Sequence, residues 1–591
     1  MGRFRCTVCN WVYDEAKEDK LFASLPDGYT CPVCGAPNTA FTPEGPQVET
    51  KGGSVVADRI VEQLSEFGVR FVYGIPGDSN LPLVEAIRKN GKIRFILTRH
   101  EETAAFMASA HGKMTGELGV CVSIAGPGAT NLITGLMDSA TDRSPVLALV
   151  GQVAEIYLGS EAFQEIDEIE LFASFASYAE TIAKPNQALR LVTMAAKYAF
   201  SGPGLAVLST PTDVLSEGLD EGLRDRRLRI LPGLAAPPLA QLRRAADLIN
   251  ASRRVVLFAG WGARSSGGLL MDLSKRLKAP VATTSRAKGV VDETFEYSVG
   301  VLGSIGSKHA ALAIRSADLV VIIGSGFRQA NLVPASAKIV QIDVDPTRIG
   351  RTFDVDVGVV GDARLALEAL AGLVEDKVGD AKFKAEFEAA RREALREIGE
   401  DAGNLSIPIY PGYVIQTLKR TCDKDAVICV DVGDHTYWFY KKFVCEGQRT
   451  YLCANMASMG FAFPASLSAK LDFPDTQVVC LTGDGGFGML MADFTTAVRE
   501  GLAVKVIVFN DGKLKNIRKE QERDGYPEFG VSFPNPNFAE FARSCGGEGY
   551  RVEEPGRLEA ALREAFKSER PCIIDVVVDP VRTSPATKRA D

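Results

Sequence analysis

Residues 478–486 read VVCLTGDGG and residues 504–513 read VKVIVFNDGK, and these two stretches decide the fold of the C-terminal part of the chain. Each is a short apolar run that ends in Gly, Asp or Asn, which is typical of a buried parallel strand followed by a loop. Because the carboxyl ends of parallel strands meet at one edge of a sheet, we expect the two polar clusters to share a ligand-binding edge. Glycines there allow the backbone to approach a diphosphate, and carboxylate oxygens are ligands that Mg²⁺ prefers.

The same alternation of apolar runs with helix-period segments extends through most of the chain, and it predicts parallel sheets wound with helices. A Pro-rich stretch at 231–240 marks a domain boundary, and residues 43–53 are typical of a flexible tether. The fold class is therefore α/β, with three parallel-sheet domains after a small metal-binding module. The predicted division is 1–45 for the module, 46–53 for the linker, 54–220, 241–375 and 408–580 for the three α/β domains, and 581–591 for a tail.

Composition excludes several classes of function. The 591 residues carry 67 Lys and Arg against 75 Asp and Glu, a net charge of −8 without long basic runs, which argues against nucleic acid as a partner. No apolar stretch approaches the roughly 20 residues that cross a bilayer, and the start lacks a secretory apolar region. The polar tail also argues against a membrane anchor. These features predict a cytoplasmic protein.

Four of the twelve cysteines lie in two CxxC pairs, formed by Cys6 with Cys9 and by Cys31 with Cys34. Two such pairs can close a tetrahedral sulfur shell around iron or zinc, and the spacing alone leaves both metals open. A segment this small gains little stability from burial, so a bound metal also explains how it folds. The other eight cysteines have no ligand spacing and are interpreted as buried thiols of a reducing compartment.

The cysteine module resembles rubredoxin over about residues 3 to 42. The resemblance is carried by the CPVCGA stretch at 31–36 and by aromatic residues at positions 4, 11, 13, 22, 29 and 41. It implies one iron that transfers one electron at a time. Two departures are a short loop between the pairs and Asn10 in a position where glycine is usual; the alternative is a structural zinc ribbon.

A GDG sequence followed about 27 residues later by an Asn-containing cluster resembles the fingerprint of thiamine-diphosphate enzymes, and the resemblance runs from about residue 54 to 580. It implies that the diphosphate lies against Gly483, Gly485 and Gly486. It also implies a Mg²⁺ site, with these ligands: Asp484, Asp511, the Lys513 carbonyl and, as an alternative, Asn510.

Asp511 stands where this family usually has Asn. The extra carboxylate is expected to tighten metal binding or to require a nearby cation, for which Lys513 and Lys515 are candidates.

Upstream, residues 99–106 read RHEETAAF and enter a helix directly after an apolar run. In the family that this resembles, the Glu of an RHE motif hydrogen-bonds the aminopyrimidine of the cofactor and promotes deprotonation of its reactive carbon. The resemblance therefore assigns that catalytic role to Glu101, whereas Glu102 is interpreted as a solvated first-turn acid. His435, in VGDHTYW, is interpreted as structural.

Further motifs resemble the acetolactate synthase and pyruvate oxidase group: GIPGD at 74–78, GPGATN at 126–131, AFQE at 162–165 and MGF at 459–461. The resemblance implies that Gln164 acts on a 2-oxo acid substrate or intermediate and that Met459 lies under the cofactor. Further cofactor contacts implied by it are Pro76, Gly77, Gly128 and Asn131.

The stretches RHEETAAF, FQEIDEIELF and GDGGFGMLMADF resemble the pyruvate oxidase versions more closely than the synthase versions. That group holds FAD in its central domain, where this sequence offers Arg286, Gly303 and Asp343. FAD remains a conditional expectation, because decarboxylases keep a similar domain without flavin.

The resulting hypothesis is thiamine-diphosphate-dependent oxidative decarboxylation of pyruvate or a related 2-oxo acid. Electrons would pass, through FAD, to the fused rubredoxin-type iron and on to a possible redox protein. Family architecture implies a homodimer or homotetramer in which Glu101 of one chain faces Asp484 of another. The alternatives are an acetolactate-synthase-like carboligase and a non-catalytic scaffold with a zinc-ribbon module.

Overall fold

The computed structural model describes residues 3–6, 11–18, 20–26, 28–44, 54–201, 204–219, 235–327 and 330–584. Within these ranges the chain forms one small antiparallel sheet followed by three six-stranded parallel sheets covered by helices. The predicted fold class is thereby confirmed. The expected linker at 46–53, residue Cys9 and most of the expected tail lie outside the described residues.

The N-terminal module is a three-stranded antiparallel sheet in the order β2-β1-β3. Its buried side chains include Cys6, Tyr13, Cys31 and Phe41, so thiols form part of its small core. A core of this size is marginal without a metal or a covalent link. Its elements are β1 (Arg3–Cys6), β2 (Val12–Asp14), α1 (Glu15–Glu18) and β3 (Phe41–Glu44).

The first α/β domain has a parallel sheet in the order β5-β4-β6-β7-β9-β8. Its strands β7 and β9 are buried along their whole length, as expected for strands covered by helices on both faces. The strands are β4 (Phe71–Gly74), β5 (Arg94–Leu97), β6 (Gly119–Ser123), β7 (Val146–Gln152), β8 (Tyr178–Thr181) and β9 (Leu205–Pro211). The helices are α2 (Val56–Glu66), α3 (Leu81–Asn90), α4 (Glu101–Thr115), α5 (Pro127–Asn131), α6 (Ile133–Asp142), α7 (Glu168–Ala173), α8 (Ala188–Ser201) and α9 (Thr212–Ser216).

The central domain has a parallel sheet in the order β12-β11-β10-β13-β14-β15. Counted within the domain, this is the order 3-2-1-4-5-6 of dinucleotide-binding folds, whose ligand crevice lies between strands 1 and 4. The strands are β10 (Val255–Ala259), β11 (Val281–Thr283), β12 (Ser298–Val301), β13 (Leu319–Ile323), β14 (Lys338–Asp343) and β15 (Val357–Val360). The helices are α10 (Leu239–Ala251), α11 (Gly267–Leu277), α12 (Lys308–Arg315), α13 (Ala363–Ala371) and α14 (Ala381–Ala402).

The C-terminal domain has a parallel sheet in the order β17-β16-β18-β19-β21-β20, the same 2-1-3-4-6-5 order as the first α/β domain. In both domains the switch point, where the strand order reverses and ligands bind at the carboxyl ends of the strands, lies between strands 1 and 3. The strands are β16 (Val427–Val430), β17 (Arg449–Leu452), β18 (Val478–Gly483), β19 (Lys505–Asn510), β20 (Glu548–Val552) and β21 (Cys572–Val577). The helices are α15 (Pro411–Thr421), α16 (Asp434–Lys442), α17 (Ala462–Asp472), α18 (Asp484–Leu490), α19 (Phe494–Arg499), α20 (Lys515–Arg523), α21 (Phe538–Ser544) and α22 (Pro555–Lys567).

The first and third α/β domains share one hydrophobic core, to which helices α4 and α17 contribute. Phe106 of α4 meets Phe461, beside α17, edge to face with ring centroids 5.7 Å apart. The helix that begins with Glu101 is therefore packed directly against the C-terminal domain. In the part of the chain that the structure describes, no helix is both long and apolar enough to cross a bilayer.

Candidate active site and metal centre

Asp484 lies at the switch point of the C-terminal sheet, as the first residue of α18, and is 4% exposed. Its Oδ2 accepts hydrogen bonds from the backbone N–H groups of Asp511 (2.9 Å) and Gly512 (2.6 Å), and from the side chain of Asn535 (2.7 Å). Its Oδ1 accepts one from Gly485 (2.7 Å), which leaves that oxygen a lone pair for a cation. The two polar clusters expected to share an edge therefore meet at one carboxylate.

Asp511, the unusual residue of the predicted metal site, is buried and paired with Lys515. Lys515 Nζ lies 2.8 Å from Asp511 Oδ2, whereas Lys513 Nζ lies 2.6 Å from Glu528. Burial raises the pKa of Asp511 to about 7, the lysine opposes this shift, and the neighbouring Asp484 adds to it. Of the two candidate cations, Lys515 is therefore the one that balances the extra carboxylate.

Asn510, the alternative metal ligand, already uses both ends of its amide. Its Nδ2 donates to Asp575 (2.8 Å), and its Oδ1 accepts from Asn535 (2.9 Å). Asn535 thus joins the two predicted ligand positions, and the sequence interpretation missed it. The available signal was the NPN sequence at 535–537 just before α21, in a segment without regular structure.

His435 was interpreted as structural, but the structure puts it beside the glycine-rich turn. If Gly483 carried a Cβ, that atom would lie 3.2 Å from Nδ1 of His435. The other ring nitrogen, Nε2, is buried without a hydrogen-bond partner. Burial lowers the pKa of His435 to about 4, so the ring is neutral and offers one N–H. His435 therefore packs against the glycine-rich turn through Nδ1, and the nitrogen without a partner is the other one, Nε2.

The glycines of the GDGG turn pack closely against neighbouring side chains. A Cβ on Gly485 would lie 3.2 Å from Met459 Cε, and one on Gly486 would lie 2.4 Å from Asp431 Oδ2. Asp431 is itself buried and accepts the N–H of Gly460 at 3.0 Å, which holds the loop that carries Met459. The predicted Met459 therefore borders the same turn as the predicted diphosphate glycines.

Glu101 begins α4 and is 8% exposed, which satisfies the burial expected of a residue with its predicted role. Its Oε2 accepts a hydrogen bond from Asn131 Nδ2 (3.0 Å), and its Oε1 lies 3.5 Å from the position of a Cβ on Gly128. The RHE and GPGATN motifs, separated in sequence, are therefore adjacent. Glu102 is partly buried rather than fully solvated, and burial raises its pKa.

The loops of the first switch point are tightly packed. A Cβ on Gly77 would lie 2.3 Å from Ile124, while Pro76 is exposed. Gln164 has a φ of 67°. Its backbone packs against Gly126, because a Cβ on Gly126 would lie 2.8 Å from the carbonyl oxygen of Gln164. Backbone strain at a polar residue is a feature of functional loops.

The switch point of the central domain is built from glycines. A Cβ on Gly260 would lie 2.3 Å from Gly324 O, and Gly324 itself has a φ of 64°. This close approach at the ends of β10 and β13 is suited to a dinucleotide. Among the predicted flavin residues, the Arg286 guanidinium lies 4.9 Å from the Trp261 ring and Asp343 accepts the N–H of residue 345, while Gly303 has a φ of 118°.

The cysteine module brings three predicted ligands together. The Sγ atoms of Cys6, Cys31 and Cys34 lie within 4.8 Å of one another, with Cys6 and Cys34 3.6 Å apart. Four thiolates at about 2.3 Å from one metal would lie about 3.8 Å apart in a tetrahedron, so the spacing fits a tetrathiolate. Cys9, the fourth predicted ligand, is outside the described residues.

Four family models match the chain in sequence order. Residues 3–41 match rubredoxin, residues 55–171 the N-terminal and residues 431–576 the C-terminal TPP-binding domain of thiamine pyrophosphate enzymes, and residues 242–370 the central domain. The site described above therefore draws its parts from two matched TPP-binding domains, and the thiol cluster lies in a matched metal-binding module.

The alignments with curated relatives cover nearly the full length of this chain and of each relative. The chain is 34% identical to a putative thiamine pyrophosphate-containing protein, YdaP, of Bacillus subtilis, with 88% of this chain and 91% of the relative aligned. It is 32% identical to a probable acetolactate synthase large subunit of Methanocaldococcus jannaschii (90% and 93% aligned) and 30% identical to a pyruvate oxidase of Lactiplantibacillus plantarum (91% and 91%). Overall identity does not support the expected closer match to the oxidase.

Proposed function

The chain belongs to the thiamine pyrophosphate enzymes related to acetolactate synthase and pyruvate oxidase and carries an added rubredoxin domain, and from that premise we propose that it is an oxidative 2-oxo acid decarboxylase. Pyruvate is the simplest substrate. The observation that carries the proposal is the thiol cluster of Cys6, Cys31 and Cys34, which with iron bound would be a one-electron centre on the same chain as the thiamine pyrophosphate domains.

Thiamine diphosphate, when bound, supplies a nucleophilic carbon that adds to a ketone and retains the electron pair after CO₂ leaves. In this proposal Asp484, Asp511 and the Lys513 carbonyl hold Mg²⁺ at its diphosphate, with Asn510 as the alternative ligand. His435 packs beside Gly483, in the turn against which the diphosphate is held.

Glu101 carries out the proton chemistry at the other end of the cofactor. Its buried carboxyl group is held by Asn131 and faces Gly128, so it is placed to share a proton with the ring nitrogen of the aminopyrimidine. Met459 supports the cofactor from below, and Gln164 contacts the carboxylate of the substrate.

FAD is proposed as the two-electron acceptor in the central domain. The 3-2-1-4-5-6 strand order and the glycines at its switch point support this, with Arg286, Gly303 and Asp343 as contacts. Flavin can accept an electron pair and release it one electron at a time, as a single iron requires. An absorption spectrum of the purified protein tests for flavin directly.

The relay is tested by adding pyruvate, without oxygen, to the full chain loaded with thiamine diphosphate, Mg²⁺ and FAD. Bleaching of the oxidised iron absorbance is expected. The double variant Cys31→Ser/Cys34→Ser should reduce flavin without an iron signal, and Glu101→Gln should reduce neither. Unchanged iron, or a module that contains zinc alone, refutes the relay.

A carboligase is the second candidate, because identity to proteins named acetolactate synthase is as high as identity to the oxidase. In that reaction a second 2-oxo acid accepts the carbon nucleophile and no electrons leave. Acetolactate as the product, with no reduction of flavin or iron, would establish it.

We further propose a homodimer or homotetramer in which Glu101 of one chain faces Asp484 of another. Exposed apolar side chains support a subunit interface, among them Ile156 (82%), Phe163 (83%) and Phe529 (82%). Sedimentation of the holoenzyme gives the number of chains.

A further inference from the structure

Asp493 of the C-terminal domain accepts hydrogen bonds from both sides of the turn that carries Glu101. It ends the short helical turn Met491–Asp493, nine residues after Asp484, and is 1% exposed. Its Oδ1 accepts the backbone N–H of Arg99 at 2.7 Å, and its Oδ2 accepts the hydroxyl of Thr103 at 2.6 Å. The two donors lie two residues before and two residues after Glu101, so one carboxylate holds both sides of the catalytic position.

The neighbouring residues of the same domain hold the strand that leads into this turn. Thr496 donates to Asp493 Oδ1 at 2.8 Å and also lies 3.3 Å from the carbonyl oxygen of Leu97, the last residue of β5. Arg499 also donates to that carbonyl. The segment from Leu97 to Thr103 is therefore fixed from the C-terminal domain, while Asn131 of its own domain contacts the Glu101 side chain.

This arrangement is more than a packing contact. Burial raises the pKa of Asp493, and no Lys or Arg of the described residues lies within ion-pair distance of it. A buried carboxylate without a cation is unfavourable unless several donors satisfy it, and here two of the three are from the Glu101 turn. An apolar side chain would fill the space without that requirement.

We propose that Asp493 is a positioning residue for Glu101: it fixes the backbone of residues 99–103 so that the Glu101 carboxylate meets the cofactor ring. The inference rests on the proposed function, in which Glu101 activates bound thiamine diphosphate. Asp493 itself touches no reacting atom.

Substitution Asp493→Asn separates this role from simple packing. An amide of the same shape can keep the Arg99 N–H on its oxygen and donate its NH₂ group to the Thr103 hydroxyl oxygen, so Asp493→Asn preserves the shape and removes the charge assistance from both bonds. Thr103→Val removes the hydroxyl that donates to Asp493, and Thr103→Ser keeps a hydroxyl there. Asp475→Asn, at an exposed position of the same domain, is the matched control.

The test measures hydrogen–deuterium exchange at the reactive carbon of thiamine diphosphate bound to the full chain. Loss of one charge-assisted hydrogen bond, about 1.5–3 kcal/mol, predicts exchange roughly ten- to a hundredfold slower in Asp493→Asn and Thr103→Val. Thr103→Ser and Asp475→Asn should exchange like the parent. In the cofactor-free protein, backbone amides of residues 97–103 should exchange faster in the two impaired variants.

The outcomes are distinguishable. Normal exchange in Asp493→Asn, with slow exchange in Glu101→Gln, overturns the positioning role and leaves the proposed function intact. Normal exchange in Glu101→Gln overturns the proposed function itself. If Asp493→Asn does not fold, Thr103→Val decides: slow exchange restored by Thr103→Ser supports the proposal, and normal exchange overturns it.

Discussion

Lys515 Nζ lies 2.8 Å from Asp511 Oδ2, and each of these side chains is 5% exposed. The ammonium also donates to the carbonyl of Asp579 at 3.1 Å, so it is fixed from a second side. The additional negative charge at the proposed magnesium site is therefore balanced within the chain. Asp511 and Lys515 act as a unit: without Lys515 the Asp511 carboxylate loses its nearest cation, and without Asp511 the ammonium keeps only the more distant Asp434, 3.8 Å away.

Single changes at this pair should act in opposite directions on magnesium binding. Asp511→Asn leaves a buried ammonium near the site and should weaken Mg²⁺ binding about tenfold or more. Lys515→Met leaves an unpaired carboxylate and should strengthen it, while destabilising the metal-free protein by about 3–5 kcal/mol.

The double variant Asp511→Asn/Lys515→Met should restore Mg²⁺ affinity and much of the stability. Titrations of Mg²⁺ in the presence of thiamine diphosphate, with urea unfolding of the metal-free protein, complete the cycle. Lys567→Met, on the exposed face of α22, is the control. Strictly additive effects at Asp511 and Lys515 would contradict the coupling.

Removing one thiolate of the N-terminal module should unfold that module and leave the rest of the chain folded. Among the described residues of the module, five buried side chains form the core, and three cysteines converge there. For Cys34→Ser we expect loss of the bound metal and fast amide exchange over residues 3–44, with residues 54–219 unchanged. Mass spectrometry of both segments checks this. Cys545→Ser, at a half-exposed thiol, is the control, and retained protection over residues 3–44 would show that the metal does not hold the module together.

The fold and the meeting of the two polar clusters at one sheet edge were predictable because their signals are local. Apolar runs that end in polar residues identify parallel strands, and the carboxyl ends of such strands must share an edge. That reasoning brought Asp484 and Asp511 together correctly. Glu101 required the family resemblance, because an acid in the first turn of a helix has no distinctive pattern of its own.

Residues whose role depends on distant neighbours were not predictable. His435 looked structural because nothing in its own sequence shows that it packs against Gly483, and Asn535 lies in an irregular segment 51 residues after Asp484. Lys513 and Lys515 were equivalent candidates until α20, which begins at Lys515, set the direction of each side chain. Tertiary context, rather than pattern, decides such cases.

Glu168 should make the stability of the first α/β domain depend on pH. It is 1% exposed, and burial raises its pKa to about 8, while a contact with the Ser209 hydroxyl opposes the shift. The folded state keeps the proton that the unfolded state releases near its ordinary pKa of 4.5. The free energy of unfolding should therefore fall as pH rises through this interval, by up to about 1.4 kcal/mol per unit, and level off above pH 8.

Glu168→Gln should remove this slope. The free energy of unfolding of the variant should therefore exceed that of the parent by an amount that grows from pH 5 to pH 8. Urea unfolding at several pH values measures the difference. Glu170→Gln, at an exposed neighbour in the same helix, should leave the slope in place. An equal slope in Glu168→Gln and the parent would show that this carboxyl is already ionised in the folded protein.

Asp142 joins all three α/β domains at one carboxylate. It pairs with Lys113 of its own domain at 2.8 Å and lies 3.7 Å from Arg286 of the central domain. From the C-terminal domain it accepts the backbone N–H groups of Ala454 and Asn455 at 3.3 Å, and the Asn455 side chain at 2.7 Å. Burial opposes ionisation, but the two cations hold the pKa of Asp142 below its ordinary value.

Asp142→Asn should therefore act on both proposed cofactor sites of the α/β domains, that of thiamine diphosphate and that of flavin. The buried Lys113 loses one of its two carboxylates, and Arg286, the proposed flavin contact, loses the anion beside its guanidinium. We expect a loss of about 3–5 kcal/mol in the free energy of unfolding. Weaker binding of thiamine diphosphate should accompany this loss of stability, because Asn455, which Asp142 holds, lies in the loop that leads to Met459. Thermal unfolding and cofactor titration measure the two effects, with Asp475→Asn as the control. A lower unfolding midpoint with unchanged binding of flavin and thiamine diphosphate would mean that the junction supports the domains without positioning either cofactor.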